Sequence, residues 1–161
     1  MIVAITGHRP NKLGGFDPDN PTRLKVRRWL HRQFEEFKPT KVISGMAMGV
    51  DQWAVEEALT MGIPVLAAVP SLGQANLWPQ DERKYWRLLL ESVHEVEIVC
   101  KGTRYHPSMM QIRNAWMVDR CDLLLAVWDG SPGGTANCVK YAELRDKRIV
   151  RVTPLDFAAE P

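Results

Sequence analysis

The sequence has few cysteines, and they are not arranged as a structural framework. Cys100, Cys121 and Cys138 are odd in number, widely spaced and outside any Cys-x-x-Cys pair. This pattern excludes a disulfide scaffold and a cysteine-based zinc site, and it favours reduced thiols in a cytoplasmic protein. We therefore expect neither a bound metal nor a resident cofactor.

The sequence also lacks long apolar runs and a strong excess of one charge. No stretch approaches the roughly 20 apolar residues of a membrane-spanning helix, and no basic segment precedes an apolar one at the N-terminus. The formal net charge of +2 is too small to indicate nucleic acid by itself. The arginines between Arg23 and Arg32 are expected to form a solvated helix face, because Glu35 and Glu36 follow. We therefore expect a cytoplasmic protein with neither a membrane nor a nucleic acid as its partner.

Common catalytic motifs are absent as well. The sequence contains no Gly-x-Ser-x-Gly nucleophile elbow and no His-Glu-x-x-His zinc helix. It also matches neither the full dinucleotide fingerprint Gly-x-Gly-x-x-Gly nor the lysine-containing P-loop. Any chemistry must therefore come from a less familiar arrangement of residues.

What the sequence does contain is a regular alternation of strands and helices, within a single domain expected over residues 1–161. Apolar runs predict strands at 1–6, 41–45, 64–70, 96–99, 123–127 and 148–152. Helical spacing predicts helices at 22–37 (capped by Thr22, with Leu24 on its inner side), 50–61, 80–93, 107–120 and from the 133–135 turn to about 145. Strands that are apolar throughout are typical of parallel sheets. We predict an α/β, Rossmann-like fold: a mostly parallel sheet with helices on both faces, and a peripheral tail from Pro154.

The segment from Asp122 to Ala142 has the features of a phosphate-binding turn. Its apolar strand breaks at 129–132 and passes through Gly133, Gly134 and Thr135 into a helical pattern. Glycines let the backbone approach a ligand, and a helix N-terminus presents N–H groups and the positive end of a dipole. An ordinary tight turn between a strand and a helix is the alternative, and this segment alone does not decide between them.

Other strand ends are predicted to lie at the same edge of the sheet as this turn. In open parallel sheets the ligand lies outside the carboxyl ends of the strands, at a switch in strand order. The residues expected to meet it there are Gly7, His8, Arg9, Gly45, Met46, Asp51, Trp78, Arg113, Asn114 and Asp129, together with Gly133, Gly134 and Thr135.

The charged members of this set suit the recognition of a phosphate. Arg9 and Arg113 would supply positive charge to it, and His8 is a hydrogen-bond donor or acceptor. Asp51 or Asp129 would contact a ribose, although Asp51 is equally explained as an acid at a helix N-terminus.

The remaining members are expected to shape the site. Gly45 and Met46 follow the second strand and would leave room for a ligand. Trp78 would stack on a base, unless it is a loop residue anchored in the core.

Four segments in order make the chain resemble the SLOG superfamily. They are Thr6-Gly7-His8-Arg9-Pro10 with Leu13 and Gly15, Ser44-Gly45-Met46-Ala47 with Gly49 and Asp51, Met110 with Arg113-Asn114, and Asp129-Gly130 with Gly133-Gly134-Thr135. The superfamily includes DNA-processing protein A and the Lonely Guy phosphoribohydrolases, and the chain looks most like its small bacterial and phage branch with TGHRP near the start. The resemblance spans residues 6–142. It implies a Rossmann-like fold that binds a nucleotide or a nucleotide-derived ligand.

The departures from the phosphoribohydrolases concern the catalytic residues. Those enzymes carry a Met-x-x-Arg-Lys segment and a longer glycine turn; here Arg113 matches the arginine and Asn114 replaces the lysine. Asn137 stands where the resemblance implies a catalytic glutamate. An amide cannot act as a general base or stabilise an oxocarbenium-like centre with its charge. The resemblance therefore supports phosphate binding but not the usual hydrolysis, and Arg113, Asp51 and Asp129 are the candidates for any catalysis.

The sequence therefore predicts a protein that binds a nucleotide-type small molecule, as a sensor, a sequestering protein or an enzyme of unassigned reaction. One alternative is N-glycosidic cleavage of a nucleoside 5′-monophosphate. Another is binding of single-stranded DNA, because the segment from Ser44 to Asp51 resembles the DNA-processing branch. A homodimer is expected from the resemblance alone.

Overall fold

The structure, a computed structural model, describes residues 1–102 and 104–158. Strands and helices alternate along these residues. The strands are β1 (Ile2–Gly7), β2 (Lys41–Ser44), β3 (Val65–Val69), β4 (Glu95–Ile98), β5 (Leu123–Val127) and β6 (Arg148–Val152). The helices are α1 (Pro21–Phe37), α2 (Val50–Thr60), α3 (Gln80–Ser92), α4 (Ser108–Arg120), α5 (Gly134–Leu144) and α6 (Pro154–Ala158), and one turn of 3-10 helix (Pro10–Lys12) follows β1.

The six strands form one parallel sheet in the order β4-β3-β2-β1-β5-β6. The chain builds outward from β1 to β4, then returns to place β5 on the other side of β1. The order of strands therefore switches between β1 and β5, whose last residues, Gly7 and Val127, are paired in register. A crevice outside the carboxyl ends of the strands is expected at such a switch.

Alternate residues of the strands point into two apolar layers. One layer packs α1, α2, α3 and α6 against residues such as Val3 and Leu125. The other packs α4 and α5 against their sequence neighbours Ala4 and Leu124. Helices cover both faces of the sheet, which confirms the predicted α/β, Rossmann-like fold.

The start of α1 differs from the prediction. Asn20, not Thr22, is the N-cap: its side-chain oxygen accepts a hydrogen bond from Thr22 N at 2.9 Å, and its amide donates to Gly15 O at 3.1 Å and to Leu13 O. Pro21 occupies the first helical position, where its missing N–H costs nothing. Leu24, predicted to lie on the inner side, is half exposed.

The tail from Pro154 is not peripheral as predicted. It forms the short helix α6, which packs against α1 and buries Phe157 in the larger apolar layer with 1% of its surface exposed. Lys25 Nζ also donates to Phe157 O at 2.8 Å. The tail is too short for its sequence to show a helical period, so nothing in it singles out Phe157 as the anchoring side chain.

Candidate functional site

A cavity of about 500 Å³ opens at the switch in strand order. Its wall combines the end of β1, the turn before α2, the first turns of α4 and α5, and the loop between β5 and α5. The residues that line it are Thr6, Gly7, His8, Arg9, Asn11, Lys12, Ala47, Asp51, Pro107, Met110, Gln111, Arg113, Asn114 and Ser131, followed by Pro132, Gly133, Gly134, Thr135, Ala136 and Asn137. Ten of the residues expected from the sequence, Asn137 included, are thus brought together.

The end of β1 lies against the start of α2 with no space for a side chain at Gly7. A Cβ at Gly7 would come within 2.6 Å of Val50 Cβ. Val50 N in turn donates to His8 O at 3.3 Å. The N-terminus of α2 is therefore held at the base of the cavity by the backbone that carries His8 and Arg9.

The glycine turn opens the N-terminus of α5 toward the cavity. Gly133 is the N-cap residue, in the positive-φ region at 143°, and Gly134 is the first residue of the helix. Glycine at the N-cap leaves the first turn of α5 without a side-chain cap. The N–H groups of such a turn bind an anion well, because they are unpaired and the helix dipole adds to their positive charge.

Arg113 forms the floor of the cavity. Its side chain is 2% exposed; Nη1 donates to Gly45 O and to Ala68 O (3.4 Å), and Nε donates to Asn114 Oδ1 at 3.1 Å. Within residues 1–102 and 104–158, Nη2 has no hydrogen-bond partner. Burial lowers the pKa of Arg113 and the nearby Asp51 charge raises it. An arginine remains cationic in proteins, so a buried positive charge faces the cavity with one donor group available.

Gly45 makes space for this arginine. A Cβ at Gly45 would overlap the guanidinium atoms of Arg113. Gly45 O also accepts a hydrogen bond from Gln74 Nε2 at 2.9 Å. The space expected for a ligand at Gly45 is therefore occupied by the guanidinium group.

Asp51 is a buried acid beside the same floor. Its Oδ2 accepts a hydrogen bond from Ala47 N at 3.3 Å. Burial raises the pKa of Asp51 to about 6, against the opposing effects of the charge on Arg113, the N–H of Ala47 and the charge on Arg9. Asp51 is thus a carboxyl group that changes its protonation near neutral pH inside the cavity.

The raised pKa of Asp51 predicts a pH-dependent loss of stability. The folded protein binds this proton more tightly than the unfolded chain, so the free energy of unfolding falls as the pH rises from about 4 to about 6 and is then constant. The fall amounts to about 3 kcal/mol. We expect the stability of Asp51→Asn relative to the wild type to increase by this amount between pH 4 and pH 7, measured by urea unfolding. A constant difference across this range would contradict the assignment.

Asp129 does not line the cavity, but its side chain stabilises the β5–α5 loop, whose residues do line it. It accepts hydrogen bonds from the Ser131 hydroxyl and from Ser131 N, and His8 Nε2 lies 2.9 Å from its Oδ1. These contacts, the Ser131 hydroxyl first, hold the pKa of Asp129 below its usual range. Lys12 Nζ donates to Ser131 Oγ at 2.6 Å. The cluster joins the β5–α5 loop to the turn after β1.

Besides Gly45 and Asp129, two further residues expected at the ligand lie outside the cavity lining. Met46 is fully buried in the larger apolar layer, with its backbone at a positive φ of 62°. Trp78 is partly buried against the same layer and does not line the cavity. The loop after β3 therefore provides no aromatic ring to the cavity. It contributes Gln74, which donates to Gly45 O, the same oxygen that Arg113 contacts.

Some lining residues were missed in the sequence. Lys12 and Ser131 carry no motif, because only the folded loop brings them together. Gln111 had a usable signal: it is three residues before Asn114 on α4, which places both on one face of the helix. Its buried Oε1 has no hydrogen-bond partner in the part of the chain that the structure describes.

A parallel, doubly wound sheet with a cavity at its switch point defines the Rossmann-like class of α/β protein. Within that class the chain belongs to the YspA SLOG family, whose model matches residues 3–157. This confirms the resemblance to the SLOG superfamily. A relative from Bacillus cereus (strain B4264), described as a UPF0398 protein, is 29% identical over 152 residues, covering 88% of this chain and 82% of its own.

Solved structures at lower identity share the fold. DNA processing protein A from Streptococcus pneumoniae has a TM-score of 0.67 at 16% identity over 92% of this chain, which spans about half (49%) of that protein. The same protein from Helicobacter pylori, described by its single-stranded DNA binding mode, has a TM-score of 0.62 at 18% identity, covering 94% of this chain and 64% of its own. The molybdenum cofactor binding protein of Rippkaea orientalis has a TM-score of 0.61 at 17% identity, covering 98% and 82%.

No helix in residues 1–102 and 104–158 is both long enough and apolar enough to cross a membrane.

Proposed function

We propose that this protein binds a phosphate-bearing, nucleotide-type small molecule in the cavity at the switch point, as a sensor or a sequestering protein. The observation that carries the proposal is the convergence of the uncapped N-terminus of α5 with the buried guanidinium of Arg113. The turn of Gly133, Gly134 and Thr135 would hold the phosphate through N–H groups and a hydroxyl. Arg9 would add charge from the rim.

The sugar and base would extend toward the polar residues of the first turns. Asp51 would accept a hydrogen bond from a ribose hydroxyl, and Gln111 Oε1 would accept one from the ligand, because it has no partner among the described residues. Asp129 acts through His8 and Ser131 and would position the loop rather than touch the ligand. The molybdenum cofactor bound by the Rippkaea protein supports a small-molecule ligand for this fold.

An enzymatic role would have to use a different acid from the phosphoribohydrolases. Asn137 lies in the first turn of α5 at the cavity wall, where an amide cannot supply the general base. Asp51 would take that role, with Arg113 as the electrostatic partner. The expected homodimer also remains a prediction.

Single-stranded DNA is the second candidate. It is supported by the likeness to DNA processing protein A, so the expectation that nucleic acid is not a partner finds no support in the comparisons. The arginine-rich face of α1 is poorly suited to bind DNA phosphates, because Arg23 and Arg27 form ion pairs with Glu56 and Glu57. DNA phosphates would have to meet Arg9 and Lys12 at the cavity rim.

Native mass spectrometry separates these functions. The protein is mixed with AMP, ADP-ribose or NAD and measured at time zero and after overnight incubation, with adenosine as the control that lacks a phosphate. We expect a persistent adduct with at least one phosphate ligand and none with adenosine. Release of adenine or nicotinamide would instead indicate an enzyme. Failure of every phosphate ligand, together with salt-sensitive binding of an oligonucleotide, would favour the DNA candidate.

A further inference from the structure

A second cavity, of about 290 Å³, borders the same short turn as the first. Pro10 lines it, whereas the neighbouring Arg9 and Asn11 line the main cavity. Its other walls come from the loop before α1 and from α2 and α3. The proposed phosphate site uses none of these walls, so the second cavity has no role in the function proposed above.

Aromatic rings form one side of this cavity. They belong to Phe16, which is half exposed, to the buried Trp53 and to the partly buried Tyr85. The guanidinium of Arg23 already lies over the ring of Trp53, 5.8 Å from its centre. The faces of such rings attract positive charge through their quadrupole. This side of the cavity therefore suits the apolar body of a cation.

Carboxylates form another side. Asp17, Asp81 and Glu82 line the cavity, and none of the three has an ion-pair partner within the described residues. Among the described residues, Arg23 is the one cation that lines the cavity, and it forms an ion pair with Glu56 at 2.6 Å. Asp81 and Glu82 stand in the first turn of α3, where carboxylates complement the helix dipole, but Asp17 lies in a loop. The charge left uncompensated in the cavity is negative.

A buried amide adds a hydrogen-bond acceptor. Gln52 lines the cavity with 2% of its surface exposed, and its Nε2 donates to Met46 O at 3.4 Å. Its Oε1 accepts no hydrogen bond from any described residue. The buried hydroxyl oxygen of Tyr85, which lines the same cavity, has no hydrogen-bond partner among the described residues. A buried polar group without a partner is costly, so a polar N–H group of a ligand would fit between this hydroxyl and Gln52 Oε1.

We propose that the second cavity binds a small organic ammonium ion. The positive group lies among Asp17, Asp81 and Glu82, an N–H donates to Gln52 Oε1, and the apolar body packs on the rings. The proposal is independent of the phosphate site and of the function proposed for it.

Three probes of nearly the same shape test it: 2-phenylethylammonium, 2-phenylethanol and phenylacetate, which are positive, neutral and negative at pH 7. We expect the ammonium ion to bind at least roughly tenfold more tightly than the alcohol, and phenylacetate to bind most weakly. The measurement is calorimetric titration of the full chain, supported by ligand-observed NMR. Equal affinities of the three probes, or no binding of the ammonium ion, would overturn the proposal.

Variants then locate the site. Asp81→Asn combined with Glu82→Gln should weaken binding of the ammonium ion roughly tenfold and leave the affinity for the alcohol unchanged. Glu91→Gln is the matched control, because Glu91 is an exposed carboxylate on the same helix outside the cavity lining. Equal loss in both variants would indicate general charge attraction and contradict the site. Competition by inorganic phosphate would place the probe in the main cavity and would also contradict it.

Discussion

Replacing Gly134 with Asp is expected to abolish binding of the phosphate ligand while leaving the protein as stable as before. Gly134 is the first residue of α5, and a Cβ there would only touch Met110 Cε at an ordinary 3.8 Å. The new carboxylate would occupy the place of the phosphate with the same sign of charge. Repulsion at about 4 Å is worth several kcal/mol, so we expect affinity to fall roughly 100-fold or more.

The stability of this variant distinguishes charge repulsion of the ligand from disruption of the fold. An acid in the first turn of a helix stabilises it by about 0.3–1 kcal/mol, so the melting temperature should be unchanged or slightly higher. Gly134→Asn is the matched control, because asparagine has the same size as aspartate and carries no charge. Its affinity for the phosphate ligand should fall by less than about tenfold. Calorimetric titration with the phosphate ligand and thermal unfolding supply both readouts. Full affinity in Gly134→Asp would show that the phosphate does not lie on α5.

Replacing Phe157 with Ala should cause the largest loss of stability of any change in the tail. The ring is buried in the apolar layer that contains α1, and removing it would leave a void. Such truncations cost about 3–5 kcal/mol, which corresponds to roughly a 10 °C lower melting temperature for a chain of this size. Urea and thermal unfolding measure the two quantities.

Leu155 provides the control on the same short helix. It is 76% exposed, so Leu155→Ala should change the free energy of unfolding by less than about 0.5 kcal/mol. A similar loss in both variants would mean that α6 contributes as a whole. A negligible loss in Phe157→Ala would show that the tail does not anchor the chain in solution.

The sheet could be predicted from the sequence because its signals are local. β5 (Leu123–Val127) and β6 (Arg148–Val152) are runs of apolar or alternating residues between turn residues, and their bounds match the prediction. β4 (Glu95–Ile98) begins one residue early, because its exposed glutamates hide the pattern of an edge strand. The identity of the ligand edge followed from the position of the glycine turns after the strands.

The contacts that build the site could not be predicted in this way. Arg113 donates to Gly45 O across 68 residues, and His8 contacts Asp129 across 121. Helical or strand spacing says nothing about such pairs, since they depend on which strands become neighbours. The sequence predicts that Gly45 leaves space for a ligand, whereas in the fold this space is occupied by the guanidinium of Arg113.

The alternation of strands and helices, the parallel sheet and the glycine turn before α5 are all legible in the amino-acid sequence, because each follows from the period of apolar residues or from glycine at a strand end. The folded chain alone reveals that β5 lies beside β1, that Asp51 is buried near Arg113, and that Phe157 belongs to the core. Those features depend on long-range packing, in which a residue's surroundings are set by segments far away in the chain.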